Sequence, residues 1–441
     1  MPTLSQEQIA AGRLAAVELH SKLNQIYQHD KLLFGHHDSL AYGRSNGGWR
    51  GTDPINNDSL NFNVEQSDIV YALDNNAPAL FGWDLIGLEN ILDAETIDLT
   101  TSNAKLGNNI PIKNLIAWII KVHKSGGINT ICWHMNNPSI NTTNGGNYND
   151  VSNINSIKEV VTINSRSNRT FMNWLDKLVN FLSFLIDENG IPIPIIFRPF
   201  HEMINFDAGP NNFKPFFWWN QITHSSAGSN PLHYRKLWEI TILHLHNKGI
   251  QHTVNAFSIN DFFIDGNTNR VFDNVKELIP DANLFDIIGF DAYQRLNTQV
   301  QKNRHPLSKN VQLGDNNFNT TNFINRVRQQ MIETNNLAIE YHKIPVLTEI
   351  GADYFYDNTN WWTSTLQQII NNNHLAYLMT WRNPPYHQND KSEYYAPYHN
   401  PNGPDLSDKD VSFVNDFIDF YNENTINNQR VLFLNELALL F

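Results

Sequence analysis

Two glutamates stand at the ends of apolar runs. Glu202 closes IPIIFRPFHE (193–202), and Glu349 lies near the end of IPVLTEIG (344–351). Desolvating an unpaired carboxylate costs more than a buried strand regains. Each glutamate is therefore either tied into an ion pair, with Arg198 or Arg382 as the available partners, or delivered to a working cleft. Two carboxyl groups across one pocket can act as general acid and nucleophile, or as general acid and base. That chemistry requires one of them to stay protonated while the other is ionised. Arg198 shares strand parity with Glu202, but four extended residues span roughly 13 Å. Arg198 is thus expected to lie a layer below Glu202 or to serve another acid.

Further polar residues recur at the ends of similar runs. LLFGHH (32–37) leads into His36, His37 and Asp38, INTICWHM (128–135) ends near His134, and His201 precedes Glu202. FDIIGFDAY (285–293) ends in Asp291 and Tyr293, and AYLMTWRN (376–383) in Trp381 and Arg382. With ALFGWDL (79–85) and HTVNAFS (252–258) there are eight short apolar runs in all.

Helical patterns separate them, at 114–127, 170–190 and 234–249, several ending in glycine. A further helix is expected over about 6–28, where Ser5 and Gln8 have capping-box spacing. Near-continuous apolar strands alternating with helices imply a parallel sheet covered on both faces. Eight such units predict an α/β fold, a single (β/α)8 TIM barrel with long βα loops forming a cleft. No linker-like segment divides the chain, so one domain is expected over 1–441, with the barrel from about 32 to 441. In such a barrel all strand C-termini share one face, so residues scattered along the sequence converge in one pocket.

Composition narrows the function. The formal net charge of −13 over 441 residues argues against nucleic acid, which needs a basic footprint. The single cysteine, Cys132, excludes an internal disulfide and a multi-thiolate metal site, and reads as a small buried hydrophobe. No stretch is long enough to span a bilayer, and the N-terminus lacks the pattern of a signal peptide. The histidines invite a metal-hydrolase reading around His36, His134, His201 and Asp291. Adjacent His36 and His37, with Trp381–Arg382 after the eighth run, do not fit the usual metal barrel. No metal and no cofactor are called for.

Several motifs resemble glycoside hydrolase family 26, best known for endo-β-1,4-mannanases. They are Arg198-Pro199-Phe200-His201-Glu202, Phe216-Phe217-Trp218-Trp219 and Thr348-Glu349-Ile350-Gly351. Gly35-His36-His37-Asp38 with Ala41-Tyr42-Gly43, Trp83-Asp84, and Trp133-His134 with Asn136-Asn137-Pro138 add to these. Phe290-Asp291-Ala292-Tyr293 and Thr380-Trp381-Arg382-Asn383 complete a set running from about 33 to 385.

The resemblance implies a retaining (β/α)8 hydrolase acting on β-1,4-mannan or manno-oligosaccharides, with Glu202 as acid/base after strand four and Glu349 as nucleophile after strand seven. It implies supporting roles for His201 and Tyr293, substrate contacts at His134 and Asp291, and Trp381 as the platform beneath the reacting sugar. Trp218 and Trp219 would join the substrate-binding or supporting set. The insertion INFDAGPNNFKP (204–215), and Phe216 in place of a tryptophan, depart from the family pattern and should remodel the leaving-group side. The Asn-rich stretch 139–168 is a second long loop expected to wall the cleft.

Within the same family a β-1,3-xylanase or mixed-linkage β-glucanase remains open, since these share the catalytic pair. A non-catalytic carbohydrate-binding barrel is the alternative of another class. A polymeric substrate would place the protein outside the cytoplasm, as a secreted, periplasmic or surface protein whose signal peptide has been removed. A monomer is expected.

Overall fold

The structure is a computed structural model. It describes residues 3–41, 67–73, 76–91, 98–142, 145–203, 216–220, 228–260, 275–294, 320–352, 359–371, 374–383, 395–397, 408–428 and 430–440. The expected insertion 204–215 and the Tyr42-Gly43 motif lie outside these residues.

The strands are β1 (Leu32–His37), β2 (Leu80–Asp84), β3 (Ile128–Cys132), β4 (Ile195–Arg198), β5 (Thr253–Ile259), β6 (Ile287–Gln294), β7 (Ile344–Ala352) and β8 (Tyr377–Thr380). They pair in chain order, and β1 pairs with both β8 and β2, which closes the barrel. Every pairing is parallel. A ninth strand, β9 (Val431–Leu432), adds beside the start of β1 and was not expected from the sequence. Two residues carry too little pattern to be read. β4 is short because Pro194 and Pro199 flank it, and proline supplies no N–H to a ladder.

Alternation along the strands sorts the core into two bodies. Phe34, Phe81, Trp83, Phe197, Phe257 and Phe290 face the surrounding helices. Leu33, Leu80, Ile128, Ile196, Val254, Ile344 and Met379 fill the barrel interior. The floor of that interior is closed by the helix Gln6–Gln28, whose Ala16, Leu19, Leu23 and Ile26 join the second cluster. Its start is fixed by the Ser5–Gln8 capping box. Each buried leucine or isoleucine there contributes about 1.5–3 kcal/mol, so the helix is an integral plug.

Two expectations are corrected. The helix expected over 170–190 runs Arg166–Ser183, and Gly190 does not cap it. Gly190 instead turns the chain at positive φ, where the Asp187 carboxylate accepts from the Asn189 and Ile191 N–H groups. The stretch 139–168 is not a plain loop. It carries the helix Ser156–Val161, and Asn137 donates to both the Asp150 carbonyl and Ser156 Oγ.

Candidate active site

Glu349 owes its position to one extra residue. β6 and β7 pair Phe290 with Leu347, then Asp291 with Glu349, so Thr348 has no counterpart on β6. The same surplus appears toward β8, where Leu347 pairs with Leu378 but Ile350 with Thr380. Such irregularities re-aim side chains beside active sites. Glu349 therefore sits within β7, inside the apolar run 344–351, and not after the strand as the resemblance implied.

Arg198 ends β4 and reaches across the barrel. It donates to both oxygens of Asp291, at 2.9 and 3.2 Å, and to Glu349 Oε1. All three residues are buried. Burial opposes the Arg198 charge, but Asp291 and Glu349 more than offset it and hold the guanidinium charged. Burial pushes the Asp291 carboxyl well above the usual range; Arg198 pulls it back, while Glu349 and Glu202 push with burial. Tyr293 donates its hydroxyl to the other oxygen of Glu349 at 2.5 Å. Burial, then the Glu349 charge, drives the Tyr293 phenol well up, so it remains a donor. Glu349 thus has an arginine partner, as the ion-pair alternative required, yet it also faces a second acid.

That acid is Glu202, half-buried just beyond β4. One oxygen each from Glu202, Asp291 and Glu349 lie within 4.8 Å of one another. The turn carrying Glu202 is strained: Phe200 and Glu202 have φ of 49° and 51°. Left-handed backbone at a residue with a side chain costs on the order of 1–3 kcal/mol and persists only where its surroundings enforce it. Here three successive carbonyls are held by side-chain donors. Tyr234 OH donates to Phe200 O at 2.9 Å, Trp219 Nε1 to His201 O at 2.7 Å, and Asn220 Nδ2 to Glu202 O at 3.3 Å.

Of the two roles open to Trp218 and Trp219, substrate-binding or supporting, their packing favours support. Both are fully buried, and Trp218 Nε1 donates to the Met135 carbonyl at 3.0 Å. They brace the loops that carry Glu202 and His134, whereas Phe216 is 37% exposed.

The other wall is built on β2, β3 and β8. His134 donates Nδ1–H to Asp84 at 2.8 Å and meets the His201 ring edge-on at 4.7 Å. Burial works against a charged His134, but Asp84 raises it above its ordinary value overall. Burial likewise opposes ionised Asp84, yet His134, with Arg382 and His37, holds it below the usual carboxylate range. His201 is pushed well below its ordinary value by burial and by Arg198, so it is a neutral imidazole. Trp381 is partly exposed and packs on His37 with ring centres 4.1 Å apart, while Arg382 pairs with buried Asp38 at 2.8 Å.

Trp381, Tyr293, His134, His201, Asp291 and the two glutamates thus share the C-terminal face of one barrel. An aromatic surface beside two facing carboxyls is suited to holding a sugar ring and cleaving its glycosidic bond.

Comparison with known proteins decides the lineage. The sequence model of glycosyl hydrolase family 26 matches residues 23–344. The chain belongs to glycosyl hydrolase family 26. A mannan endo-1,4-beta-mannosidase of Bifidobacterium adolescentis is 26% identical over 344 residues, which cover 76% of this chain but 29% of that protein. The chain therefore spans less than a third of that relative's length. A protein of the same name from Bacillus subtilis is 21% identical over 331 residues, 72% of this chain and 80% of that one.

Among solved structures, a GH26 beta-mannanase from Bacteroides ovatus superposes with a TM-score of 0.69 at 23% identity, covering 97% of both chains. The catalytic domain of a GH26 endo-beta-1,4-mannanase from Bacillus sp. JAMB-750 gives 0.66 at 24% identity, covering 99% and 93%. These agree with the (β/α)8 barrel. The family-26 match ends at Ile344, before Glu349, so the placement of that glutamate rests on the geometry around β7.

Two site residues have no role assigned from the sequence. Asp84 stands in the Trp83-Asp84 motif and ends an apolar run, yet its partner His134 cannot be read from either. Glu89 had no such signal. It is buried beyond β2 and accepts from Trp133 Nε1 and Asn136 N–H at 3.0 and 3.1 Å, holding the loop around His134. Burial pushes its carboxyl up to about 7.

Proposed function

We propose that the protein is a retaining β-mannanase that hydrolyses β-1,4-mannosidic linkages in mannan-type polysaccharides or manno-oligosaccharides. The observation that carries the reading is the approach of Glu202 and Glu349, whose nearest oxygens lie within 4.8 Å. Retaining glycosidases hold their carboxyl groups about 5–5.5 Å apart, and inverting ones about 6.5–9.5 Å to admit a water. The close pair favours direct attack.

In the proposed reaction Glu349 attacks the anomeric carbon while Glu202 protonates the departing glycosidic oxygen. The bond to the leaving sugar breaks and a glycosyl-enzyme forms on Glu349. Water then enters, Glu202 removes its proton, and the sugar–Glu349 bond is cleaved with net retention. Tyr293 and Arg198 orient Glu349 through hydrogen bonds to its two oxygens. Trp381 offers the surface on which the sugar packs, and neutral His201 beside Glu202 adds no cation that would lower the affinity of the acid for its proton.

The substrate is the finer part of the proposal. The names of the two relatives support mannan, whereas a β-1,3-xylanase or mixed-linkage β-glucanase would use the same two glutamates. A non-catalytic barrel has no need of two carboxyls at this spacing. Polymeric mannan does not cross membranes, which supports a secreted, periplasmic or surface location. No helix among the described residues is long and apolar enough to cross a membrane.

Product analysis on linear β-1,4-mannan, β-1,3-xylan and mixed-linkage β-glucan, with and without EDTA, tests the proposal. Manno-oligosaccharides that persist in EDTA are the expected result. Activity confined to another glycan overturns the substrate, and activity lost only in EDTA overturns the metal-free chemistry.

A further inference from the structure

Cys132 ends β3 with its side chain buried in the barrel mouth, 3.5 Å from His37 Nε2. Ligand atoms of Cys132, His134 and His201 all lie within 4.8 Å of one another. In a tetrahedral zinc site the ligand atoms stand roughly 3.3–3.8 Å apart, given Zn–S near 2.3 Å and Zn–N near 2.0–2.1 Å. A contraction of about 1 Å would bring the three to that spacing.

Two further observations favour a cation here. Asp84 takes the Nδ1–H of His134, which leaves Nε2 as the lone-pair nitrogen. A carboxylate behind a histidine is the arrangement that orients metal-bound imidazoles. Among the described residues, buried His201 Nδ1 has no hydrogen-bond partner. The charges around the thiol are Asp84, Glu349 and Asp38 against Arg198, with Arg382 paired to Asp38. In the cluster of Glu202, Asp291 and Glu349, by contrast, the Arg198 guanidinium already pairs with Asp291 and Glu349.

We infer that Cys132, His134 and His201 form a binding site for a zinc-class divalent cation, and that the cation competes with the sugar for His134. On binding, the thiol proton leaves to solvent, as does the Nε2 proton of His134 when that ring is charged, and bonds form to the metal from sulfur and from one nitrogen of each imidazole. Three protein ligands leave the fourth position for water. The ion is an inhibitor, not a cofactor. The binding itself does not depend on the proposed mannanase activity; only the competition with sugar does.

Cys132 is the single cysteine of the chain, so any sulfur-to-metal charge-transfer absorption reports this site alone. Titration with Co2+ should raise that band with one equivalent bound. Zn2+ should displace Co2+, and Cys132→Ser should abolish the band while keeping turnover of mannan. Asp84→Asn should weaken Co2+ binding about 10–100-fold. Zn2+ should inhibit the wild-type enzyme competitively and Cys132→Ser at least about tenfold less. Absence of the sulfur band in the wild-type protein overturns the site, whatever the variants do. A band without mannan hydrolysis leaves the metal site standing and removes the proposed function. Equal Zn2+ inhibition of wild type and Cys132→Ser assigns the inhibition to surface histidines and overturns the competition.

Discussion

Asp291 lies directly across the β6–β7 pairing from Glu349, and it does so because Thr348 has no partner on β6. Remove that surplus and Asp291 would face Thr348, with Glu349 turned toward the helices. Two buried carboxylates side by side repel, so the arrangement persists only with a shared cation. Arg198 supplies it from β4 and reaches both.

Arg198→Leu should therefore destabilise the fold by about 3–5 kcal/mol, because it strands two buried acids. Arg198→Lys should retain part of that loss, since one ammonium cannot reproduce a forked guanidinium. Adding Asp291→Asn to Arg198→Leu should recover stability by removing one of the stranded charges. Urea unfolding of the three variants measures this. A double variant less stable than Arg198→Leu would show that stranded charge is not the main cause of the loss.

Glu349→Ala should abolish turnover of polysaccharide while leaving the barrel folded. With an aryl β-manno-oligosaccharide and azide, the ion can fill the vacated space and attack from the same side. The product should be the α-glycosyl azide, inverted relative to substrate. Recovery of a β-glycosyl azide would assign the nucleophile elsewhere.

Glu202→Ala should lower polymer hydrolysis by about 10²–10⁴-fold, the usual contribution of a positioned acid. Aryl glycosides with good leaving groups need little protonation, so their first step should suffer far less. Azide should then trap the glycosyl-enzyme as the β-glycosyl azide. Equal losses on both substrate types would remove Glu202 from the acid role.

The barrel was legible because strands buried on both faces read as short apolar runs, and β1 spans the residues 32–37 that its run predicts. Strand ends with chemistry were legible for a related reason: a charge such as Glu349 is conspicuous in Val-Leu-Thr-Glu-Ile-Gly. Partners were not. That Arg198 serves Asp291 and Glu349 depends on a one-residue surplus in β7, which leaves no mark on periodicity. Trp218 and Trp219 could be read either way, because an aromatic pair near an acid reads alike whether its faces are open or covered. Their burial is decided by packing around Phe217, which stacks on Trp219 at 4.5 Å.

The Asp84–His134 pair makes stability depend on pH in a defined window. Asp84 is held below its ordinary value of 3.8, so its contribution is present above that pH and lost as pH falls through the folded value. His134 is held above its ordinary value of 6.5, so its contribution is complete below 6.5 and lost as pH rises through the raised value. The pair therefore stabilises most between about 4 and 6.5. Asp84→Asn should lower the urea midpoint most in that interval, and the deficit should shrink as pH rises past the raised value of His134. His134→Gln should reproduce the same pH profile, since either change removes the same pair. A deficit of constant size from pH 5 to pH 9 would mean that Asp84 acts through its hydrogen bonds to the His134 and Ile86 N–H groups, which do not titrate.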